Sequence, residues 1–246
     1  MTDSRISMVA PYTESRSGPG AADDTTPLLR CRDLVKRFGA TSALDGASLT
    51  VDPGEIVSIM GPSGSGKSTL LHCAAGILVP DGGEAVYDGR PLAGLTDSER
   101  SRLRRSEFGF VFQFGRLVPE LNCEENVALP LRLAGVPRRQ ARLQARTWLA
   151  RLEIADLATR LPGDISGGEG QRAAVARALV TGPRIVFADE PTGALDSLNG
   201  ERVMQLLTTA ARESAAAVVL VTHEPRVAAY ADREVVVRDG RTRSAG

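Results

Sequence analysis

Lysine is close to absent from this chain of 246 residues: Lys36 and Lys67 are the only two among thirty basic residues, and the rest are arginine. In a chain that otherwise uses arginine, a lysine at 67 fits a role for a compact ammonium. Net charge is zero, thirty acidic residues being set against the thirty basic ones. That balance argues for no broad basic face, so no nucleic-acid partner is expected. The three cysteines, Cys31, Cys73 and Cys123, are scattered without a C-x-x-C pair. Their number speaks against a disulfide framework and a zinc module, and suits a reducing cytoplasm. The longest apolar run, near Ala215 to Val221, falls far short of the ~20 residues a spanning helix needs. The first residues have no continuous apolar core, so no secretory leader is expected. What remains is a chain long enough for one sizeable core.

Gly61-Pro62-Ser63-Gly64-Ser65-Gly66-Lys67-Ser68 fits G-x-x-x-x-G-K-[ST] in full, and Thr69 follows it. Before it, Glu55 to Met60 reads as a short apolar strand; after it, Thr69 to Ala75 reads as a helix. A strand–loop–helix context of this kind lets backbone N–H groups and a helix N-terminus face phosphate oxygens. Lys67 can then reach the β- and γ-phosphates of a nucleotide, and the Ser68 hydroxyl can sit on Mg²⁺. Arg184 to Ala188 reads as a second buried strand and ends in Asp189-Glu190. Beside a phosphate-binding loop, that pair predicts Asp189 as a holder of Mg²⁺ and Glu190 as general base toward the attacking water. Standing alone, the pair would be a charged loop after a core strand. His223 follows a third apolar strand, Ala217 to Thr222, while His72 falls inside the helix after the phosphate loop and reads as packing. Phe108 to Phe112 is an aromatic-rich strand ending in the amide of Gln113.

Residues 1–27 are rich in Ser, Gly, Pro, Asp and Thr without apolar periodicity and predict a disordered tail. Ordered structure is expected over 28–246 as a single domain. Strands at Leu28 to Val35, around Ala47 to Val51 and at Glu84 to Tyr87 predict a small antiparallel layer beside the phosphate-loop core. Thr96-Asp97-Ser98-Glu99 is a capping box that starts a helix. Residues about 114–165 turn helical, with Pro137 in a first turn and Ala141, Ala145, Trp148, Leu149 and Leu152 on one face. Arg138, Arg139, Arg142, Arg146 and Arg151 are expected to form a solvated face.

Ile165-Ser166-Gly167-Gly168-Glu169-Gly170-Gln171-Arg172 opens directly into the helical run Ala173 to Leu179. This octet resembles the signature of ATP-binding-cassette (ABC) ATPases, and the resemblance covers residues from about 28 to 242. It implies an α/β fold: a P-loop NTPase core with a mixed sheet, a small antiparallel β layer and an inserted α-helical subdomain. It further implies a composite site between two head-to-tail subunits, ATP lying between the phosphate loop of one and Ser166, Gly167, Gly168 and Glu169 of the other. By the same resemblance Gln113 senses Mg²⁺ and the attacking water, His223 contacts the γ-phosphate, Asp196 belongs to a loop along the dimer interface, and Phe38 lies against adenine. A core position is the competing reading of Phe38. Gly170 departs from the long polar residue usual there, and in a helix it costs up to ~1 kcal/mol relative to Ala.

The segments Phe110 to Phe114, Leu117-Val118-Pro119 and Glu125 to Leu131 look most like the macrolide-exporter and lipoprotein-releasing branch. An ATPase that drives a separate membrane permease from the cytoplasmic face of the plasma membrane is therefore expected, as an ATP-dependent homodimer. A regulatory ATPase that drives cell-wall hydrolysis in division without moving cargo is the alternative. A soluble ABC ATPase of DNA repair or translation would carry coiled-coil insertions, zinc modules or a second cassette, and none is in the sequence. Phe114, Leu117, Val118 and Leu121 are expected to form the docking groove for the permease. Glu124, where the family has an apolar residue, is expected near that groove.

Overall fold

The computed structural model describes residues 26–244. Of the tail expected over 1–27, residues 1–25 lie outside the described residues. β1 (Leu29–Phe38) and β2 (Thr41–Val51) form a long hairpin, and β3 (Ile56–Met60) leads through the phosphate-loop motif into α1 (Lys67–Ala74). β4 (Gly82–Tyr87), the two-residue β5 (Arg90–Pro91), α2 (Asp97–Ser106) and β6 (Phe108–Phe112) follow. Next come three helices, α3 (Cys123–Leu133), α4 (Arg138–Arg151) and α5 (Gly167–Leu179). The remaining elements are β7 (Ile185–Asp189), α6 (Ser197–Glu213), β8 (Ala217–Val221), the single-turn α7 (Pro225–Ala228), β9 (Arg233–Arg238) and β10 (Arg241–Ser244).

Two sheets result. One is antiparallel in the order β2-β1-β4-β5; the other runs β10-β9-β3-β8-β7-β6. In the second, the strands from β9 to β6 are parallel and β10 folds back antiparallel on β9, so the sheet is mixed, as expected. β8 is buried at every position. A parallel strand covered on both faces must be apolar throughout, which is why Ala217-Val-Val-Leu-Val shows no alternation. β8 and its neighbours still sort by side: Ile56, Val186, Val218 and Leu220 face the helices α3 to α6, while Val57, Ile59, Phe187, Val219 and Val221 face α1 and the antiparallel sheet. The two sheets are tied where Asp45 N–H donates to the Gly240 carbonyl (2.9 Å) and Ser48 N–H to the Thr242 hydroxyl (2.7 Å). That tie fixes the β1–β2 hairpin beside the phosphate loop.

The predicted capping box of α2 is formed, Glu99 accepting from Thr96 N–H at 2.7 Å. In α4 the residues Ala141, Ala145 and Leu149 are buried at a spacing of four, and Leu152 is buried just beyond. Pro137 stands at the N-cap with ψ 142°, one position before the first-turn role expected of it. The arginine face is only partly free. Arg142 and Arg146 both donate to Glu124, whose side chain is 1% exposed. Glu124 thus points between α3 and α4 rather than into a docking groove. Burial pushes its pKa up, but hydrogen bonds from the two guanidiniums outweigh this and hold it below the ordinary carboxylate range. A carboxylate at that depth is tolerable only when so paired.

Candidate functional site

The loop between β3 and α1 owes its shape to backbone freedom at its two ends. Gly61 has φ 147° and Gly66 φ 106°, and a Cβ would collide with the Val237 carbonyl oxygen at the first and with the Ala43 carbonyl oxygen at the second. Gly66 is the N-cap of α1, yet it offers no side-chain cap, and no acidic residue lies in the first turn. The first N–H groups of this helix therefore keep their partial positive charge for an outside acceptor. Lys67 adds a whole charge. Its side chain is 7% exposed, donates to the carbonyls of Gly61 and Pro62 (2.9 Å each), and has no carboxylate partner among the described residues. The Ser65 hydroxyl oxygen is buried without a hydrogen-bond partner. An uncompensated buried cation, an uncapped helix and an orphaned hydroxyl make a site built for a polyanion.

The acidic wall stands opposite. Ser68 Oγ donates to Asp189 Oδ1 at 3.0 Å, so the end of β7 meets the start of α1. Glu190 follows with φ 48°, a left-handed conformation that costs a non-glycine residue energy and turns its carboxylate out of the strand direction. His223, just past β8, places Nδ1 2.9 and 3.1 Å from the two Glu190 oxygens. Gln113, immediately after β6, lies against Gly193, where a Cβ would come within 2.9 Å of its amide nitrogen. A cavity of about 700 Å³ is lined by Ser63, Gly64, Lys67, Thr69, Gln113, Glu190 and His223, and also by Ala43 from β2. A nucleoside triphosphate fits its cationic loop. Oxygen donors at Ser68, Asp189 and Gln113 are the hard set that Mg²⁺ takes, with phosphates and water completing the shell.

Other predicted residues lie elsewhere. Ser166 is the N-cap of α5, and Gly167 is the first helical residue; both are exposed. Ser166 and Glu169 form a capping box, the carboxylate accepting from Ser166 N–H (2.7 Å) and hydroxyl (2.8 Å). The Glu169 carboxylate is thereby committed to the cap, and the backbone N–H and hydroxyl of Ser166 hold its pKa below the ordinary value. Gly168 is buried against Asn199, where a Cβ would meet Oδ1 at 2.9 Å. Asp196 caps α6 by accepting from Asn199 N–H at 2.9 Å and borders a separate pocket. Phe38 is 51% exposed at the end of β1, with Lys36 Nζ 5.8 Å from its ring centroid, so the core reading of Phe38 fails. None of Phe38, Ser166, Gly167, Gly168, Glu169 and Asp196 lines the phosphate-loop cavity.

Sequence reasoning missed Ala43, which carries no chemical signal. It also missed the Ser166–Glu169 box, which the S-x-x-E spacing does carry. The expected docking segment needs correction as well. Leu117 packs against the helical core, and Val118 is held on both sides of its peptide by Asn126 (2.7 and 3.0 Å). Only Phe114, 73% exposed, stands free. A groove of about 340 Å³ lies alongside, its apolar wall framed by Phe110, Phe112, Leu129, Pro130 and Leu133 and its edge by Arg104, Arg105, Arg116 and Arg177.

Comparison with known proteins agrees with this geometry. The family model described as ABC transporter matches residues 44–193. The lipoprotein-releasing system ATP-binding protein LolD of Bordetella pertussis is 46% identical over 223 residues, 89% of this chain and 96% of that protein. LolD of Porphyromonas gingivalis is 41% identical over 213 residues, covering 87% and 97%. Among solved structures, a dimeric post-hydrolysis ATP-binding cassette bound to ADP and Pi has a TM-score of 0.81 at 38% identity, covering 89% of this chain and 99% of that one. The chain belongs to the ABC transporter family, as an ATP-binding and ATP-hydrolysing subunit.

Proposed function

We propose that this ABC transporter ATPase works as one half of a head-to-tail dimer that closes on two ATP molecules, and that it drives a separate permease releasing lipid-anchored proteins from a membrane. One observation carries the dimer. The phosphate-loop cavity gathers Lys67, Ser68, Glu190, His223 and Gln113, with Asp189 just behind it on the Ser68 hydroxyl, while Ser166 and Gly167 are exposed and line none of it. A signature that does not line its own chain's cavity and is exposed is available to a second copy. The relatives named for lipoprotein release, similar over nearly the whole chain, support the cargo class.

In this reading Lys67 and the N-terminus of α1 take the β- and γ-phosphates. Glu190 removes a proton from the water that attacks the γ-phosphorus, giving ADP and phosphate. His223 Nδ1 donates to the Glu190 carboxylate and keeps it aimed. Ser68, Asp189 and the Gln113 oxygen would hold Mg²⁺, which supplies charge neutralisation on the phosphates. Ser166 Oγ and the first N–H groups of α5 address the γ-phosphate bound by the partner. Phe38 stacks on the adenine, and Asp196 borders the seam between subunits.

No helix among the described residues is long and apolar enough to cross a membrane. A peripheral place at the cytoplasmic face, held by the permease, is the corresponding location. The groove framed by Phe112, Leu129, Pro130 and Leu133 receives a short permease helix. Depleting the subunit in its host should leave lipid-anchored proteins in the membrane where they are made. Co-purification should bring down a permease, and Leu133→Glu should abolish that while sparing ATP binding. Unaltered sorting of lipid-anchored proteins on depletion would overturn the cargo assignment.

A further inference from the structure

Arg177 has no role in the chemistry above, yet it is costly to place. It lies on the last turns of α5, half-buried, and desolvation lowers its pKa. No carboxylate pairs with it among the described residues. Its partners are two backbone carbonyls: Nη2 donates to Gly115 O (2.6 Å) and Nη1 to Arg116 O (2.8 Å). Both acceptors sit in consecutive left-handed residues, Gly115 at φ 63° and Arg116 at φ 47°. Six residues earlier on the same helix, Gln171 is 2% exposed and donates Nε2 to Phe112 O at 2.9 Å. The helix thus holds the carbonyls of 112, 115 and 116, which bracket Gln113. An arginine that loses hydration to satisfy two carbonyls is fixing a strained turn in place.

We propose that Arg177, assisted by Gln171, is a positioning residue that clamps the Gln113 loop to α5, so that the signature end of the helix and Gln113 move as one body; the consequence for turnover rests on the dimer reading above. Ser166 and Arg177 stand on one rigid element, roughly 16 Å apart along its axis at 1.5 Å per residue. Docking of Ser166 on the partner's nucleotide therefore displaces the loop that carries Gln113 into this chain's own cavity. Gln113 rests against Gly193, whose N–H donates to the Glu190 backbone carbonyl at 3.1 Å, and Gln113 and Glu190 line the same cavity, so a displaced amide moves relative to the catalytic carboxylate. Each site thereby registers the closure of the other through a helix rather than through a change in the phosphate loop.

The test uses the full-length chain. Arg177→Met should lower kcat for ATP roughly 10–100-fold, the scale of a misplaced positioning group, with KM within twofold. Gln113→Ala should lower kcat by a similar factor. The double variant should be no slower than Gln113→Ala alone, because the clamp acts only through that loop. Arg177→Lys, which can reach one carbonyl, should recover part of the rate. Multiplying losses in the double variant, or a KM that rises with no change in kcat, would overturn the proposal. Hydrogen exchange reads the clamp without catalysis: amides of 114–118 should exchange at least tenfold faster in Arg177→Met, and unchanged protection there would overturn it. If Arg177→Met fails to fold, Gln171→Met carries the same exchange and double-variant tests. Failure of the dimer reading would show separately, as an Arg177-independent absence of any ATP-driven dimer.

Discussion

In the proposed dimer two helix N-termini face the nucleotide chemistry, and they are finished differently. α1 begins at Gly66, without a side-chain cap and without an acid in its first turn. α5 begins at Ser166, with a closed capping box and Glu169 in its first turn. The first helix cannot satisfy its own N–H groups, and its Lys67 is buried without a counter-ion, so it stays incomplete until an anion arrives. The second helix is complete by itself and sits exposed, so it is stable as a free surface and can meet a partner without refolding. The lesson is a division of labour: one terminus is built to bind, the other to wait. On the proposed dimer, binding comes first, on one chain; closure follows, between two.

The largest way to break this contrast is at the binding terminus. Lys67→Ala removes the one buried cation among the described residues, and loss of charged hydrogen bonds to phosphate should weaken ATP binding by roughly 10–100-fold, measurable by titration calorimetry. A variant that binds ATP normally would mean that α1 is not the incomplete helix. At the waiting terminus, two adjacent glycines should behave oppositely. A Cβ at Gly168 meets the Asn199 side chain at 2.9 Å, whereas at Gly167 it meets only Leu195 at 3.5 Å, an ordinary contact. Gly168→Ala should therefore destabilise the free subunit by about 1–3 kcal/mol. Gly167→Ala should leave the melting temperature unchanged and lower ATP turnover, since its space is needed only when a partner's nucleotide approaches. Equal effects on melting would erase the distinction.

Smaller effects sharpen the same comparison. Gly170 lies within α5 at a helical φ, and a Cβ there meets only Ile165 Cδ1 at 3.8 Å. Gly170→Ala should stabilise the chain by up to ~1 kcal/mol in a denaturant titration. Of these two termini, acid should act on the α5 cap alone. The Glu169 pKa is depressed, first by the Ser166 N–H and then by its hydroxyl, so its contribution is present above the unfolded carboxylate value of about 4.3 and is lost as pH falls below it. Amides at the start of α5 should lose exchange protection in that window, and those at the start of α1 should not. The exposed carboxylate makes this the weakest of the expected changes.

Much of the fold was open to reading from sequence because local rules set it. The G-x-x-x-x-G-K-[ST] spacing fixed a strand, a loop and a helix, and the apolar runs before Asp189 and His223 fell on β7 and β8. Residues whose role depends on distant packing were not legible. Leu117 looked like a surface apolar residue and packs into the helical core. Glu124 looked like a groove residue and is buried between helices, because the arginines that neutralise it come from α4, eighteen and more positions on. Ala43 enters the cavity wall only because β10 ties the β1–β2 hairpin to the main sheet. Arg177 and its two carbonyls are 61 and 62 residues apart, and no local pattern announces such a pair. Phe38 could not be separated from a core residue until its exposure was known.

The most direct test of the composite site is the mass of the Glu190→Gln subunit by light scattering, with and without ATP and Mg²⁺. Removing the general base should slow hydrolysis on the order of 10²–10⁴-fold and so hold ATP in place. The account predicts a monomer without nucleotide and a dimer with ATP, and no dimer when Gly167→Glu is added to block the waiting terminus. A dimer that forms equally without nucleotide, or a monomer under both conditions while the wild-type chain hydrolyses ATP at the full rate, would contradict it.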